Sequence, residues 1–359
     1  MRPPGAALLH ALLLTAASST LVLTTAYAGS SAPPPSARSS DSRGVHAVPV
    51  PSAARAVSTS HPDHVIGNGY PASCTSRKVV RAVAKGGVIT FNCGPNPVVI
   101  TMRRTAKLNN HHHRVVIDGG GKVTLSGNGK RRILYENACD PRRGYRVVNC
   151  QDSSFPQLIV QHLTLAHGNS TGNLDYGGGG GAIFSYGGRV KIVDSRFIGN
   201  RCDGSGPDLG GGALRARFQY HNLPVYVVHS TFRGGRCSNG SALSGLNVSF
   251  TVLNSTFLRN RAIGHGANPA RPGMKGGGSG GAIYTDGDSY ALRVGGTLMR
   301  RNHANEGGGA IFFVSNDRTG TLHIHWSTLR HNVSERFQTQ PGIFYLGRGP
   351  IDKAHAIIR

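Results

Sequence analysis

From Gly177 to Asn200 the chain reads GGGGGAIFSYGGRVKIVDSRFIGN: two short apolar segments, a glycine-rich turn before each, and a closing Asn. Variants of this stretch recur to the C-terminal end. A Gly-Gly-Ala-aliphatic element stands at Gly180–Ile183, Gly211–Leu214, Gly280–Ile283 and Gly308–Ile311, with a weaker copy, Gly-Ser-Ala-Leu, at Gly240–Leu243. A second element, apolar-x-apolar-x-x-Ser/Thr-x-apolar-x-x-Asn, runs Val190–Asn200, Phe250–Asn260, Leu292–Asn302 and Leu322–Asn332, with a Gly-ended copy at Val225–Gly235. Self-similarity on this scale sets the fold before any other feature is weighed.

The closing residues at 200, 235, 260, 302 and 332 are spaced by 35, 25, 42 and 30. Helical-pair repeats hold their period because helices pack along their whole length. Coils of short strands absorb insertions in their turns. Within each unit the apolar residues alternate over a few positions between Gly, Asn, Asp and Ser, which is strand patterning. In Arg189–Ile192 the alternation puts Val190 and Ile192 on one face and Lys191 on the other. Ser195 and Phe197 then point inward on the next strand. Stacked units of this kind make parallel strands around a narrow apolar interior. The expected fold is all-β, a right-handed parallel β-helix of about eight coils. Ser76–Lys85 is expected as a short amphipathic helix, ended by Gly86-Gly87, that caps the open end of the stack. Val88–Phe91, Val98–Ile100, Val115–Ile117, Val123–Leu125 and Leu158–Leu165 read as strands of the entry coils, interrupted by an insertion over Lys130–Ser154.

Residues 1–28 read as a secretory signal peptide: Arg2, an apolar run to Thr25, and Ala26-Tyr27-Ala28 as a small-x-small cleavage site. Residues 29–67, rich in Ser, Ala and Pro, are expected to be a disordered linker. The domain is expected over 68–359. No other long apolar run occurs, so no transmembrane segment is expected after cleavage, and an exported monomer is the expectation. Six cysteines fit an oxidising compartment. They fall into sequential pairs, Cys74 and Cys93, Cys139 and Cys150, Cys202 and Cys237, and this pairing is preferred among the fifteen that sequence allows.

The chain carries 40 Lys+Arg against 16 Asp+Glu, a formal charge of +24. Such a surface attracts polyanions, among them acidic polysaccharide. Nucleic acid ranks low, because no binding motif for it accompanies the charge. The Asn series Asn200, Asn260, Asn302 and Asn332 reads as a stacked ladder at a turn that tolerates left-handed backbone. Ser195, Ser230, Ser255, Thr297 and Ser327 read as an inward hydroxyl ladder. The outward ladder Lys191, Tyr226, Thr251, Arg293 and His323 mixes cations and an aromatic ring, which suits an acidic sugar chain. Its candidate substrate-binding residues are Lys191, Tyr226, Arg293 and His323. Arg293 or Lys191 would serve catalysis if a uronate were cleaved by β-elimination. Calcium is the one cofactor weighed, with Asp175, Asp208, Asp286 and Asp288 as its ligands. His111-His112-His113 reads as a loop tract. Gly264-His265-Gly266 and Asn173-Leu174-Asp175 lack the paired carboxylates of a glycoside hydrolase.

The Gly-Gly-Ala-Ile/Leu and Phe-x-x-Asn elements, with Phe197–Asn200 and Phe257–Asn260 as the clearest copies, resemble the repeats of polymorphic outer membrane proteins. Gly86–Gly94 followed by Ile117–Gly121 resembles secreted bacterial β-helix proteins of the pectate lyase-like superfamily. Together the resemblances span roughly residues 70–345. They imply the fold. They also imply a choice between a polysaccharide lyase and a non-catalytic surface or matrix-binding protein, since fold alone does not fix chemistry. Polymorphic outer membrane proteins also carry a C-terminal barrel, for which this chain is expected to be too short.

Overall fold

The computed structural model describes residues 45–359. The expected signal peptide and the first part of the expected linker lie outside these residues.

The chain winds into a right-handed parallel β-helix with three long sheets of ten, eight and nine strands and a short fourth sheet of four. One coil shows the plan. Ile183–Tyr186 lies in the eight-stranded sheet, Arg189–Val193 in the ten-stranded sheet and Arg196–Ile198 in the nine-stranded sheet. The next coil repeats this with Leu214–Arg217, Val225–Val228 and Thr231–Arg233, then adds Arg236–Cys237 in the fourth sheet. Every strand-to-strand pairing is parallel, with equivalent residues in register, such as Val193↔Val228 and Phe197↔Phe232. The interior is apolar: Val190, Ile192, Phe197, Leu214, Val227 and Phe232 are all buried. Phe197, Phe232 and Phe257 stack face to face, 4.7 and 4.9 Å between centroids, so one ring column runs through three coils.

The Gly-Gly-Ala element closes each coil where backbone meets backbone. Gly280 takes φ +68°, and a Cβ on Gly281 would stand 2.1 Å from the Gly309 carbonyl oxygen. The Ala that follows is fully buried in Ala182, Ala282 and Ala310. A larger residue has no room at these corners.

Both ladders form. Ser195 N–H donates to Ser230 Oγ, Ser230 N–H to Ser255 Oγ, Ser255 N–H to Thr297 Oγ1 and Thr297 N–H to Ser327 Oγ, at 3.0–3.3 Å. At the next corner Asn260 Nδ2 donates to Asn302 Oδ1, and Asn302 Nδ2 to Asn332 Oδ1, both at 2.9 Å. The left-handed backbone expected at these Asn belongs to the residue before each: Gly199, Arg259, Arg301 and His331 have φ between +54° and +59°. The Asn amide replaces the strand hydrogen bonds that the corner interrupts.

The helix occupies Ser76–Lys85, N-capped by the Thr75 hydroxyl and C-capped by Gly86 at φ +71°. Val79, Ala82 and Val83 bury its inner face on the first coils. The cysteines pair sequentially, Cys74–Cys93, Cys139–Cys150 and Cys202–Cys237. Within the expected insertion 130–154, Leu134–Asn137 is a regular strand, paired with Ile183–Tyr186. Only the cysteine loop behind it departs from the coil plan. Among the described residues no helix is long and apolar enough to cross a membrane.

The expected linker differs most from its sequence reading. His64–Gly67 is the first strand of the ten-stranded sheet. Residues 46–59 form a strap that crosses the outer face of that sheet from coil to coil. His46 meets Trp326, Val48 is bonded to Asn254, Val57 to Gln161, and Thr59 to Asp118. Val48, Val50 and Ala54 cover Val193, Val228 and Leu253. The segment holds few large apolar groups, but the sheet supplies the other half of the apolar contact and an amide for the strap backbone.

Candidate polyanion-binding face

The register places the outward ladder as expected: Lys191↔Tyr226↔Thr251↔Arg293↔His323, continued by Asp352. The strap divides it. Lys191 is buried, and its Nζ donates to the carbonyls of Ala53 and Arg55 at 3.2 and 2.8 Å. Burial pushes its pKa down, with Arg114 and Arg189 adding to the effect. Tyr226 packs on the strap-covered cluster. A polymer cannot lie on this half of the face while the strap is docked. Arg293 remains exposed, and His323 is half-buried with its Nδ1 2.8 Å from Asp352 Oδ2.

The four aspartates named for calcium do not form one site. Asp175 faces Arg142 at 3.5 Å. Asp288 is exposed, and its backbone N–H donates to Asn247. Asp208 and Asp286 do come together, through Asn268, whose Nδ2 donates to both at 3.0 and 3.1 Å and lies 2.9 Å from Tyr284 Oη. An amide donor therefore stands where a shared cation would sit. Burial pushes the Asp286 carboxyl up, and Asp208 adds to the rise against the Tyr284 hydrogen bond. Beside them Arg215 is fully enclosed and pushed down to about 10 by burial. This polar group lies under the loop that carries Asn268 and joins it to the eight-stranded sheet. His265 is exposed and bonded to Asn305, and His112 is bonded to Ala84 under the capping helix. Neither reaches a carboxylate of the Asp208 group.

The concentration of charge lies elsewhere, on the nine-stranded and fourth sheets. The three-residue strands of the former present their central residue inward and their flanking residues outward. A left-handed corner, a buried ladder residue and a fourth-sheet residue follow. Arg201, Arg236 and Arg261 occupy that last position in three successive coils, in register, followed by His303. Arg196, Arg233, Arg259 and Arg301 lie on the same side, and all seven arginines are exposed. The five segments 196–202, 231–237, 256–262, 298–304 and 328–334 contain nine Arg and neither Asp nor Glu. Adjacent strands stand about 4.8 Å apart, so like charges face each other in register, an unfavourable arrangement until an anion intervenes.

The row leads into a cleft. Asn169 pairs with Arg201 and lines a cleft of about 510 Å³ with Lys130, Arg131, Asn173 and the carboxylate Asp175. Arg201 Nη2 also donates to the Gly129 carbonyl at 2.7 Å, which fixes the guanidinium against that turn. Lys130 and Arg131 are exposed. The sequence reading missed this row because it followed only the outward positions of the first strand. Writing the second elements beneath one another and reading the residue after each closing position gives Arg201, Arg236, Arg261 and His303 as one column.

Residues 254–286 match the Chlamydia polymorphic membrane protein repeat. The match spans one Phe-x-x-Asn element, the loop after it and the following Gly-Gly-Ala-Ile element, so it falls on the unit from which the coils are built. No curated protein and no solved structure matches the chain. The repeat match and the three disulfides together suggest an extracellular or outer-surface protein.

Proposed function

We infer that the protein is an exported, non-catalytic binding protein that holds an acidic polysaccharide along the arginine row, at a cell surface or in an extracellular matrix. The observation that carries this reading is the in-register stack Arg201, Arg236 and Arg261 on segments free of carboxylates. Guanidinium groups match carboxylate and sulfate oxygens in pairs, and a stack repeating at the strand spacing suits a ligand whose charges also repeat. Of the 40 basic residues 32 are Arg, the residue suited to such two-point contacts. Cleavage by elimination finds less support, because the amine of Lys191 is held by backbone carbonyls of the strap.

The test is binding to polygalacturonate, alginate and hyaluronate near physiological salt, with a neutral glucan as control. The triple variant Arg201→Gln/Arg236→Gln/Arg261→Gln is expected to weaken binding by about tenfold or more. The charge-matched variant Arg77→Gln/Lys78→Gln/Arg81→Gln, on the capping helix, is expected to leave it within about twofold. Equal losses in the two would reduce the reading to net charge, and no binding by the wild type would remove it. Ultraviolet absorbance of the same mixtures should stay flat. A rising signal from an unsaturated uronate would establish a lyase instead.

A further inference from the structure

At the C-terminal end of the ten-stranded sheet, beyond the strap, three potential ligand atoms converge. His323 and His325 stand two apart on the strand Thr321–His325, so both rings leave its outer face. The next strand, Asp352–Ala354, pairs with it so that Asp352 lies opposite His323. His323 Nδ1 and His325 Nε2 both point at one oxygen, Asp352 Oδ2, at 2.8 and 2.9 Å. The three atoms lie within 4.8 Å of one another. The rings are nearly perpendicular, at 85°, so their nitrogens approach from different directions instead of stacking.

We propose that His323, His325 and Asp352 form a binding site for a divalent d-block cation, Zn²⁺ being the physiological candidate. Two imidazoles and one carboxylate form a donor set suited to zinc and copper, and they leave a further position to solvent. Zn–N bonds are about 2.0–2.1 Å. The rings already aim at a common point, so the exposed Asp352 carboxylate need only withdraw along its present line to let an ion in. A ligating imidazole donates its other N–H to a neighbouring oxygen, which selects the tautomer. Thr321 Oγ1, 3.0 Å from His323 Nε2, supplies that oxygen and leaves Nδ1 for the metal. Without metal, one carboxylate oxygen must accept from two rings, and the divalent ion takes the place of those two protons. Arg293, exposed on the preceding coil, opposes the ion, so the site discriminates by its donor atoms and not by overall charge. A bound ion would bridge the last strand of the sheet to its neighbour and so fasten the end of the stack.

The site lies next to Trp326, the single tryptophan of the chain, which gives a local reporter. Metal-free full-length protein should take up one equivalent of Zn²⁺ in competition with a chromogenic chelator. Cu²⁺ should quench Trp326 fluorescence and Zn²⁺ should not, and reversal of the quenching should need a large excess of Zn²⁺, as the order of affinities Cu²⁺ > Zn²⁺ requires. His323→Gln, His325→Gln and the isosteric Asp352→Asn should each weaken Zn²⁺ binding by about tenfold or more. His111→Gln/His112→Gln/His113→Gln, in the distant tract, should not change it. Zn²⁺ should also slow proteolysis of residues 351–359 in the wild type and not in Asp352→Asn. Failure of the wild type to bind Zn²⁺ would overturn the proposal. So would wild-type affinity in both His variants, or loss of binding in the tract variant. None of these outcomes bears on polysaccharide binding, which uses another face.

Discussion

The side-chain amide of Asn254 clamps Val48 on both sides of its α-carbon. Nδ2 donates to the Val48 carbonyl at 2.9 Å, and Oδ1 accepts from the Val48 N–H at 2.8 Å. Gln161 repeats the arrangement with Val57, donating at 2.9 Å and accepting at 3.0 Å. Two amides thus do for the strap what a neighbouring strand does for a sheet. Asn254→Ala/Gln161→Ala removes the four hydrogen bonds to the strap, at about 0.5–1.5 kcal/mol each. It is expected to release the strap before the coils unfold. Limited proteolysis should show rapid cleavage within residues 46–59, with the remaining coils intact.

Acid should release the strap by a second route. Burial pushes the Asp118 carboxyl up, but hydrogen bonds from Gln161, the Gly120 N–H and Thr59 outweigh it and hold the pKa below the ordinary 3.8. A carboxylate lowered on folding contributes stability above its unfolded value and loses it as pH falls through the folded value. Protection of the strap should therefore persist at pH 5 and fade below about pH 4. Asp118→Asn should show weaker protection at neutral pH and little further change on acidification. The measurement is hydrogen exchange across that range at Val57, whose N–H donates to Gln161 Oε1.

The Asn302 side chain makes four bonds from a fully buried position. Its Oδ1 accepts from the N–H and Nδ2 of Asn260, and its Nδ2 donates to Phe257 O and Asn332 Oδ1. Asn302→Ala leaves several buried partners unpaired and should cost about 2–4 kcal/mol. Asn302→Asp should cost more, since it loses both donors and buries a charge. Urea unfolding monitored by circular dichroism reads both.

Two glycine substitutions separate crowding from backbone conformation. Gly281→Ala would drive its methyl to 2.1 Å from a backbone oxygen, which nothing can move without shifting a coil. A loss of about 3 kcal/mol or more is expected. Gly121→Ala meets no atom within 4 Å and suffers only its φ of +74°, so about 1 kcal/mol is expected. The thermal midpoints of the two variants should rank accordingly.

The coil plan was legible because each turn of the stack writes the same instruction again. The alternation at Val190 and Ile192, the ladder residues Ser195 and Asn200, and the Gly-Gly-Ala corner all keep their offsets while the loops between them vary. The capping helix was legible from its own ten residues. The strap was not, because Val48, Val50 and Ala54 carry no period, and their partners Val193, Val228 and Leu253 adjoin only after three coils have stacked. The grouping of Asp208, Asn268 and Asp286 was hidden for the same reason: these residues come from two loops and a strand. The arginine column was present in the repeats and needed only a different alignment position to be seen.

The strap also gives the molecule a temporal asymmetry. In a stack whose units touch only their neighbours, order can spread from any point and fray from either end. The strap spans that succession, for Val48 waits for Asn254, 206 residues later, and His46 waits for Trp326. The first part of the described chain to be synthesised thus finds its seat only after the coil of Trp326 has formed. Its N-terminal end stays open until then, and its docking reports that the coils up to that one are in place.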